Sequence, residues 1–249
     1  RVLSVAYGLT DADIVYCSTP ALQNRLETLG FKERLRTGPF HCAGDVLAQS
    51  SSMPVKTIGY MGFDHAHDLA MITPSLVRVL DKYQNIRFEL FGTIPVPPEF
   101  ERFGDRISSH LPVRPYDAFL AHLTRLQWDI GLCPLADTAF NRYKANNKWV
   151  EYTSTGAAVI ATAGMAYDQC CSDGCGVLVS NVEGWFEAID KLCSNPSLRL
   201  SLVENAQRRL RKDYSLKNLR NQILEVFDEA NEIRKIARTA RAACDHSGA

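Results

Sequence analysis

From Val55 onward, short apolar runs alternate with segments of helical spacing, and this alternation is what most narrows the folds open to the chain. VKTIGYMG reads as a buried strand ending in glycine, MITPSLVRVLDKY as a helix, IRFELFG as a strand, YDAFLAHLTRLQ as an amphipathic helix and WDIGLCPL as a strand. A helix over 147–155, the strands AAVIAT and GVLV, the helix VEGWFEAIDKLCSN and two further helices complete the series. Strands interleaved with helices predict a parallel sheet covered on both faces, since each parallel connection crosses over through a helix. Such an α/β, Rossmann-like sheet takes ligands at the carboxyl ends of its strands, where the strand order reverses. An earlier strand and helix, DIVYCS and PALQNRLETLG, are set apart by residues 36–54, RTGPFHCAGDVLAQSSSMP, whose Gly, Pro and serine triplet carry no periodicity. The expected division is therefore 1–53, ending in a linker, and 54–249, the Rossmann-like domain with its C-terminal helices.

Composition narrows the function classes. Lys+Arg and Asp+Glu balance at 28 each, so overall charge recruits neither nucleic acid nor an anionic membrane, and any anion site has to be local. The sequence holds no apolar run long enough to cross a bilayer and no signal-peptide pattern. Of the eight cysteines, Cys17, Cys133 and Cys193 lie in apolar segments where a thiol acts as a small hydrophobe, which fits a reducing cytoplasm. Cys170, Cys171 and Cys175 form no CxxC and have no second pair or histidine beside them, so they read as incidental, and no metal is expected.

The stretch KANNKWVEYTSTG raises a sharper question. In a helix beginning near Asn146, the spacing puts Lys144, Lys148 and Glu151 on one face, with Trp149 and Val150 turned to the core. The free amides of a first helical turn favour phosphate, and lysines beside them strengthen that preference. Glu151, one turn deeper, suits the paired hydroxyls of a sugar. The same spacing fits equally an exposed helix with a Lys148–Glu151 ion pair worth a few tenths of a kcal/mol. In IGYMGFDHAHDL, Gly59 and Gly62 let backbone amides approach a ligand. His65, His67 and Asp68 follow, a group that could touch a metal but lacks a third well-placed ligand elsewhere; a histidine bonding a phosphate or sugar hydroxyl fits better, beside capping of the helix by Asp64 or Asp68. Asp137 and Asn141, after WDIGLCPL, either touch sugar hydroxyls or shape the turn.

The series IGYMG…H-x-x-D-L, FELFG, WDIGLCPL…FN-x-x-K-x-x-x-K-x-x-EY-x-x-x-G-x-x-VIA, GVLV and a W-x-x-AI helix resembles the C-terminal half of GT-B glycosyltransferases, in particular bacterial polysaccharide and O-antigen enzymes related to glycosyltransferase family 4. The resemblance runs from about Asp13 to Tyr214. It implies that Lys144 and Lys148 face a diphosphate, that Glu151 holds the ribose, that the Gly62 turn floors the cleft and that Val113 and Tyr116 lie near the base. Lys144, Glu151 and His65 would stand nearest the chemistry. The paired glutamates common in that family are represented by Glu151 alone. An N-terminal acceptor lobe would be mostly absent, with residues 1–53 its remnant and the long C-terminal helix crossing back to it.

By the same resemblance the activity is transfer of a sugar from a nucleoside-diphosphate sugar to an acceptor hydroxyl, with retention of configuration, in polysaccharide or glycoconjugate synthesis. The nucleotide sugar is a substrate, and no cofactor is implied. The partners would be that donor and a glycan or lipid-linked glycan acceptor, in the cytoplasm or at the inner face of the membrane, approached through the missing lobe. A non-catalytic nucleotide-sugar-binding module and a sugar epimerase of the same architecture stay open as alternatives.

Overall fold

TIGYMG carries no charged side chain, and in the computed structural model all six of its residues are buried as a central strand, β3 (Thr57–Gly62). The structure describes residues 11–31, 34–38, 44–63 and 65–246, with side chains through 239. Asp64, considered above as a cap, lies outside the described residues. These residues fall into two compact units, the larger within His41–Arg142 and Asn146–Ser215, the smaller within Arg1–Phe40, Tyr143–Ala145 and Leu216–Ala249.

The larger unit is an α/β layer structure. Its six-stranded sheet has the order β5-β4-β3-β6-β7-β8, with β4 Arg87–Gly92, β5 Ile107–His110, β6 Ile130–Cys133, β7 Ala158–Thr162 and β8 Val177–Val179. Every neighbouring pair is parallel. The order runs outward from β3 in one direction and resumes from β6 in the other, so the reversal falls between β3 and β6. Taking α1 as Pro20–Thr28 of the smaller unit, the helices here are α2 (Ala66–Lys82), α3 (Tyr116–Leu126), α4 (Asn147–Ser154), the short α5 (Asp168–Cys171), α6 (Gly184–Ser194) and α7 (Pro196–Asp213). One core cluster packs Leu69, Ile72, Leu76 and Val79 of α2 and Ile189 and Leu192 of α6 on Ile58, Tyr60, Phe88 and Leu90. The other sets Leu123 of α3 and Trp149, Val150 and Tyr152 of α4 against Met61, Phe91 and Val159.

The β3–β6 junction is short and is closed by side chains at both ends. The strands pair only at Ile58↔Ile130 and Gly59↔Gly131. At the start, Asp129 Oδ2 accepts the backbone N–H groups of Lys56 (2.8 Å) and Thr57 (3.0 Å). At the end, the Tyr152 hydroxyl accepts the Met61 N–H at 2.9 Å. Between them the facing glycines make room for two rings: a Cβ on Gly59 would lie 1.8 Å from the Trp128 indole, and one on Gly131 2.4 Å from the Tyr152 ring. Gly59 therefore receives a core side chain rather than a ligand.

The segment expected as a bare linker divides. Leu35–Thr37 form β2, residues 39–43 lie outside the described ones, and 47–53 are fastened to the larger unit. Leu47 N–H bonds Ser154 O at 2.8 Å, Gln207 Nε2 bonds Ala48 O at 2.8 Å, and the buried Arg199 guanidinium donates to Ser51 O at 3.2 Å and to Leu192 O at 3.1 Å. The edge strand β5 has no counterpart in the sequence reading, because RISSH lacks an apolar pattern and is only half covered.

The smaller unit pairs β1 (Val15–Cys17) with β2 in parallel, flanked by α1 and by α8 (Leu216–His246). Here α8 reaches Arg36 through Glu229, Asp13 through Arg234 at 2.7 Å and the Tyr16 hydroxyl through Gln222 at 3.0 Å. It thus groups with residues 15–37; the sequence division kept it with the sheet domain, while the family resemblance had it crossing back to residues 1–53. Among the described residues no helix is long and apolar enough to cross a membrane, and no three His, Cys, Asp or Glu side chains are placed to hold a metal ion.

Candidate functional site

At the carboxyl ends of β3, β4 and β5 the chain turns outward, and a cavity of about 330 Å³ opens there, lined by Met61, Gly62, Phe63, Phe91, Gly92, the segment Pro112–Tyr116, Phe119, Lys148 and Glu151. The backbones of the first two strand ends approach closely. Gly92 has φ +134, and a Cβ on it would lie 2.0 Å from Gly62 O, so only glycine fits.

Helix α4 delivers two of the three charged residues that line the cavity, Arg114 being the third. It begins at Asn147, so Lys148 and Glu151 share a face three residues apart while Trp149 and Val150 turn into the core with no exposed surface. Lys148 Nζ lies 4.3 Å from the Tyr60 ring centroid and 3.7 Å from the position of a Cβ on Gly62, which sets the ammonium against the turn. Glu151 is only 8% exposed. Burial pushes its carboxyl up to about 7, against the opposing pull of the Tyr116 hydrogen bond and the Lys148 charge. The Tyr116 hydroxyl donates to Glu151 Oε1 at 3.3 Å. Aromatic faces continue the wall: Tyr116 to Phe119 at 5.6 Å and Phe119 stacked on Phe91 at 5.3 Å between centroids.

Five of the residues expected from sequence, Gly62, Val113, Tyr116, Lys148 and Glu151, line this one cavity. Two do not. Lys144 precedes the first residue of α4 and belongs to the smaller unit, so the shared helix face holds for Lys148 and Glu151 alone; the physical reason is that the helix starts at 147, with Asn146 as its cap residue. His65 is the cap residue of α2 and faces His67 at 6.2 Å and Phe140 at 6.5 Å, off the cavity wall. Asp68 is no surface cap: fully buried, it accepts from Ala136 N and Asn141 Nδ2, both at 2.8 Å. Asn141 and Asp68 together shape the loop after β6, and Asp137 pairs with Arg142 at 2.7 Å on the surface. The sequence reading singles out neither Phe91 nor Tyr152, and holds Phe119 only as the end of the segment VRPYDAF expected near the base; the visible signal is glycine recurring inside two apolar strands, which marks places where large side chains or backbones come close.

This sheet order, with helices on both faces and the cavity at the strand ends beside the point of reversal, defines a Rossmann-like domain of the GT-B class. Residues 74–225, more than half of the chain, match the family described as glycosyl transferase-like, and the chain belongs to that family. Among solved structures, a point mutant of S. aureus TarM in complex with fondaparinux, alpha-GlcNAc-glycerol and UDP is similar with a TM-score of 0.69 and 14% identity, over 90% of this chain and 46% of that one. Anabaena HepE in complex with UDP and glucose gives a TM-score of 0.70 and 13% identity, over 87% and 63%. Sucrose-phosphate synthase from Thermosynechococcus elongatus gives 0.60 and 15%, over 94% and 60%. The chain thus spans between 46% and 63% of the length of these proteins. No curated protein sequence matches it.

Proposed function

We propose that the larger unit holds the nucleoside-diphosphate part of a sugar donor and that the chain serves glycosyl transfer from that donor to an acceptor hydroxyl. The observation that carries this reading is the meeting of Lys148, Glu151 and the glycine turn in one cavity beside the strand-order reversal, whose lining is otherwise apolar and aromatic apart from Arg114. In this reading the diphosphate lies against Lys148 and the Gly62 turn. The carboxylate of Glu151 takes the ribose diol, and the base rests between the Val113–Tyr116 segment and the aromatic wall. As the glycosidic bond breaks, negative charge gathers on the departing diphosphate, and a lysine already aimed there lowers the barrier; losing one such group typically costs about 3 kcal/mol. Support for a uridine nucleotide comes from TarM and HepE, whose structures hold UDP.

The finer reading is transfer with retention of configuration to a glycan or lipid-linked glycan. It is supported by the likeness of the K-x-x-x-K-x-x-EY segment to bacterial polysaccharide enzymes, and the anomeric configuration of the product, read by NMR, tests it. The central test is titration calorimetry of the chain with UDP, GDP, ADP and dTDP. One of the four should bind, and Lys148→Ala or Glu151→Ala should weaken it about tenfold or more. Absence of binding by all four, or full affinity in both variants, would retire the reading.

A further inference from the structure

Tyr152 stands beside Glu151 in the EY pair, yet its side chain faces away from the cavity and is completely buried. Strand β3 pairs with β4 over its whole length, from Thr57↔Arg87 to Gly62↔Gly92, but with β6 only as far as Gly59↔Gly131. Beyond that point the Met61 N–H, buried with its residue, has no strand partner on the β6 side, and a buried amide needs one. The Tyr152 hydroxyl accepts it at 2.9 Å and is 3.4 Å from Leu132 O, to which it donates. A phenol both accepts and donates, so one oxygen bridges the two strands where their ladder opens. The ring itself cannot tilt away: it lies on the bare backbone of Gly131 and against Trp128, 5.8 Å between centroids.

We propose that the Tyr152 hydroxyl is a positioning group: by clasping the ends of β3 and β6 from α4, it fixes Lys148 and Glu151 relative to the Gly62 turn. Met61 adjoins Gly62 in the chain just as Tyr152 adjoins Glu151, so the single clasp joins the two sides of the cavity. The effect on nucleotide affinity rests on the function proposed above; the effect on the backbone does not.

The variant Tyr152→Phe keeps the ring and removes the clasp. In the full chain, amide hydrogen exchange at Met61 should quicken at least tenfold while Ile58 and Gly59, inside the ladders, keep their wild-type rates. The carboxyl titration of Glu151, followed by carbon NMR, should move down toward the ordinary carboxylate range as α4 loosens, and affinity for whichever of UDP, GDP, ADP and dTDP the wild type binds should fall about tenfold. Unchanged exchange at Met61 overturns the proposal. So does faster exchange with an unmoved Glu151 titration and wild-type affinity, which would mark the hydroxyl as a stabilising contact only. If the wild type binds none of the four nucleotides, the proposed function falls, and exchange with titration still decides this inference. Should the variant not fold, the wild type suffices: its Met61 amide should be protected as strongly as Gly59, and exchange as free as that of an exposed amide overturns the clasp.

Discussion

Glu151 is the residue whose ionisation most depends on its surroundings in the cavity, because its environment holds a carboxyl near the midpoint of its titration at neutral pH. Burial raises it from the ordinary glutamate value of 4.5 to about 7, and the Tyr116 hydroxyl and Lys148 only partly offset this. The sign of the linkage follows. The folded chain binds this proton more tightly than the unfolded chain, so the associated stability is fully present below about 4.5 and is lost as pH rises through about 7, a change on the order of 3 kcal/mol. Glu151→Gln should remove that dependence: urea melts at pH 4.5 and pH 8 should differ less in the variant than in the wild type by roughly that amount, and equal differences would contradict the assignment. Tyr116→Phe should push the Glu151 midpoint higher still, since the bond it deletes favours the ionised form. A diol donating to the carboxylate would favour that same ionised form. Nucleotide affinity should therefore strengthen between pH 6 and pH 8 with release of a proton, seen as a buffer-dependent enthalpy in calorimetry.

At the scale of the elements, the site depends on how closely strands and helices approach, and glycine sets those distances. Gly131→Ala would drive a methyl into the Tyr152 ring, 2.4 Å from its nearest carbon. Overfilling a packed core of this kind costs typically 1–3 kcal/mol, and here the strain falls on the helix that carries Lys148 and Glu151. A drop in thermal midpoint together with weakened nucleotide binding is expected, and a variant with the wild-type midpoint would show the ring free to move. This scale also shows what could be read in advance. The strands β3, β4 and β6 and the helices α3, α4 and α6 were legible within a few residues, because buried parallel strands are continuous apolar runs and their helices keep a 3.6-residue period. That Lys148 and Glu151 share a face was legible for the same reason. Lys144 does not join them because helical spacing holds only inside a helix: the start read near Asn146 agrees with the observed Asn147 to within a residue, and Lys144 lies before it, where the four-residue step no longer fixes a face. The Gly59–Trp128 and Gly131–Tyr152 contacts join residues 69 and 21 positions apart, and no local pattern encodes such meetings.

For the molecule as a whole, the two compact units differ in what holds them together. The larger has two hydrophobic clusters, one on each face of a six-stranded sheet. The smaller has a sheet of two strands, and two strands alone are marginal in water. Beside the buried Cys17 and Leu35 of its strands, it has three polar contacts from α8: Glu229 with Arg36, Arg234 with Asp13 and Gln222 with Tyr16. Each pair is exposed, and such pairs contribute little singly, so this unit should open before the larger one does. Ending the chain after Ser215 tests the point. The truncation removes all three partners but keeps Tyr214, whose ring packs on Trp149 at 5.4 Å and whose hydroxyl accepts from Asn146 Nδ2 at 2.7 Å, at the entrance to α4. Every contact described for the cavity lies within the larger unit. Amides of 15–17 and 35–37 should therefore lose their protection in hydrogen exchange while those of β3, β4 and β6 keep theirs, and the nucleotide bound by the full chain should bind with unchanged affinity. Loss of protection across the six-stranded sheet, or a weakened nucleotide affinity, would overturn that expectation.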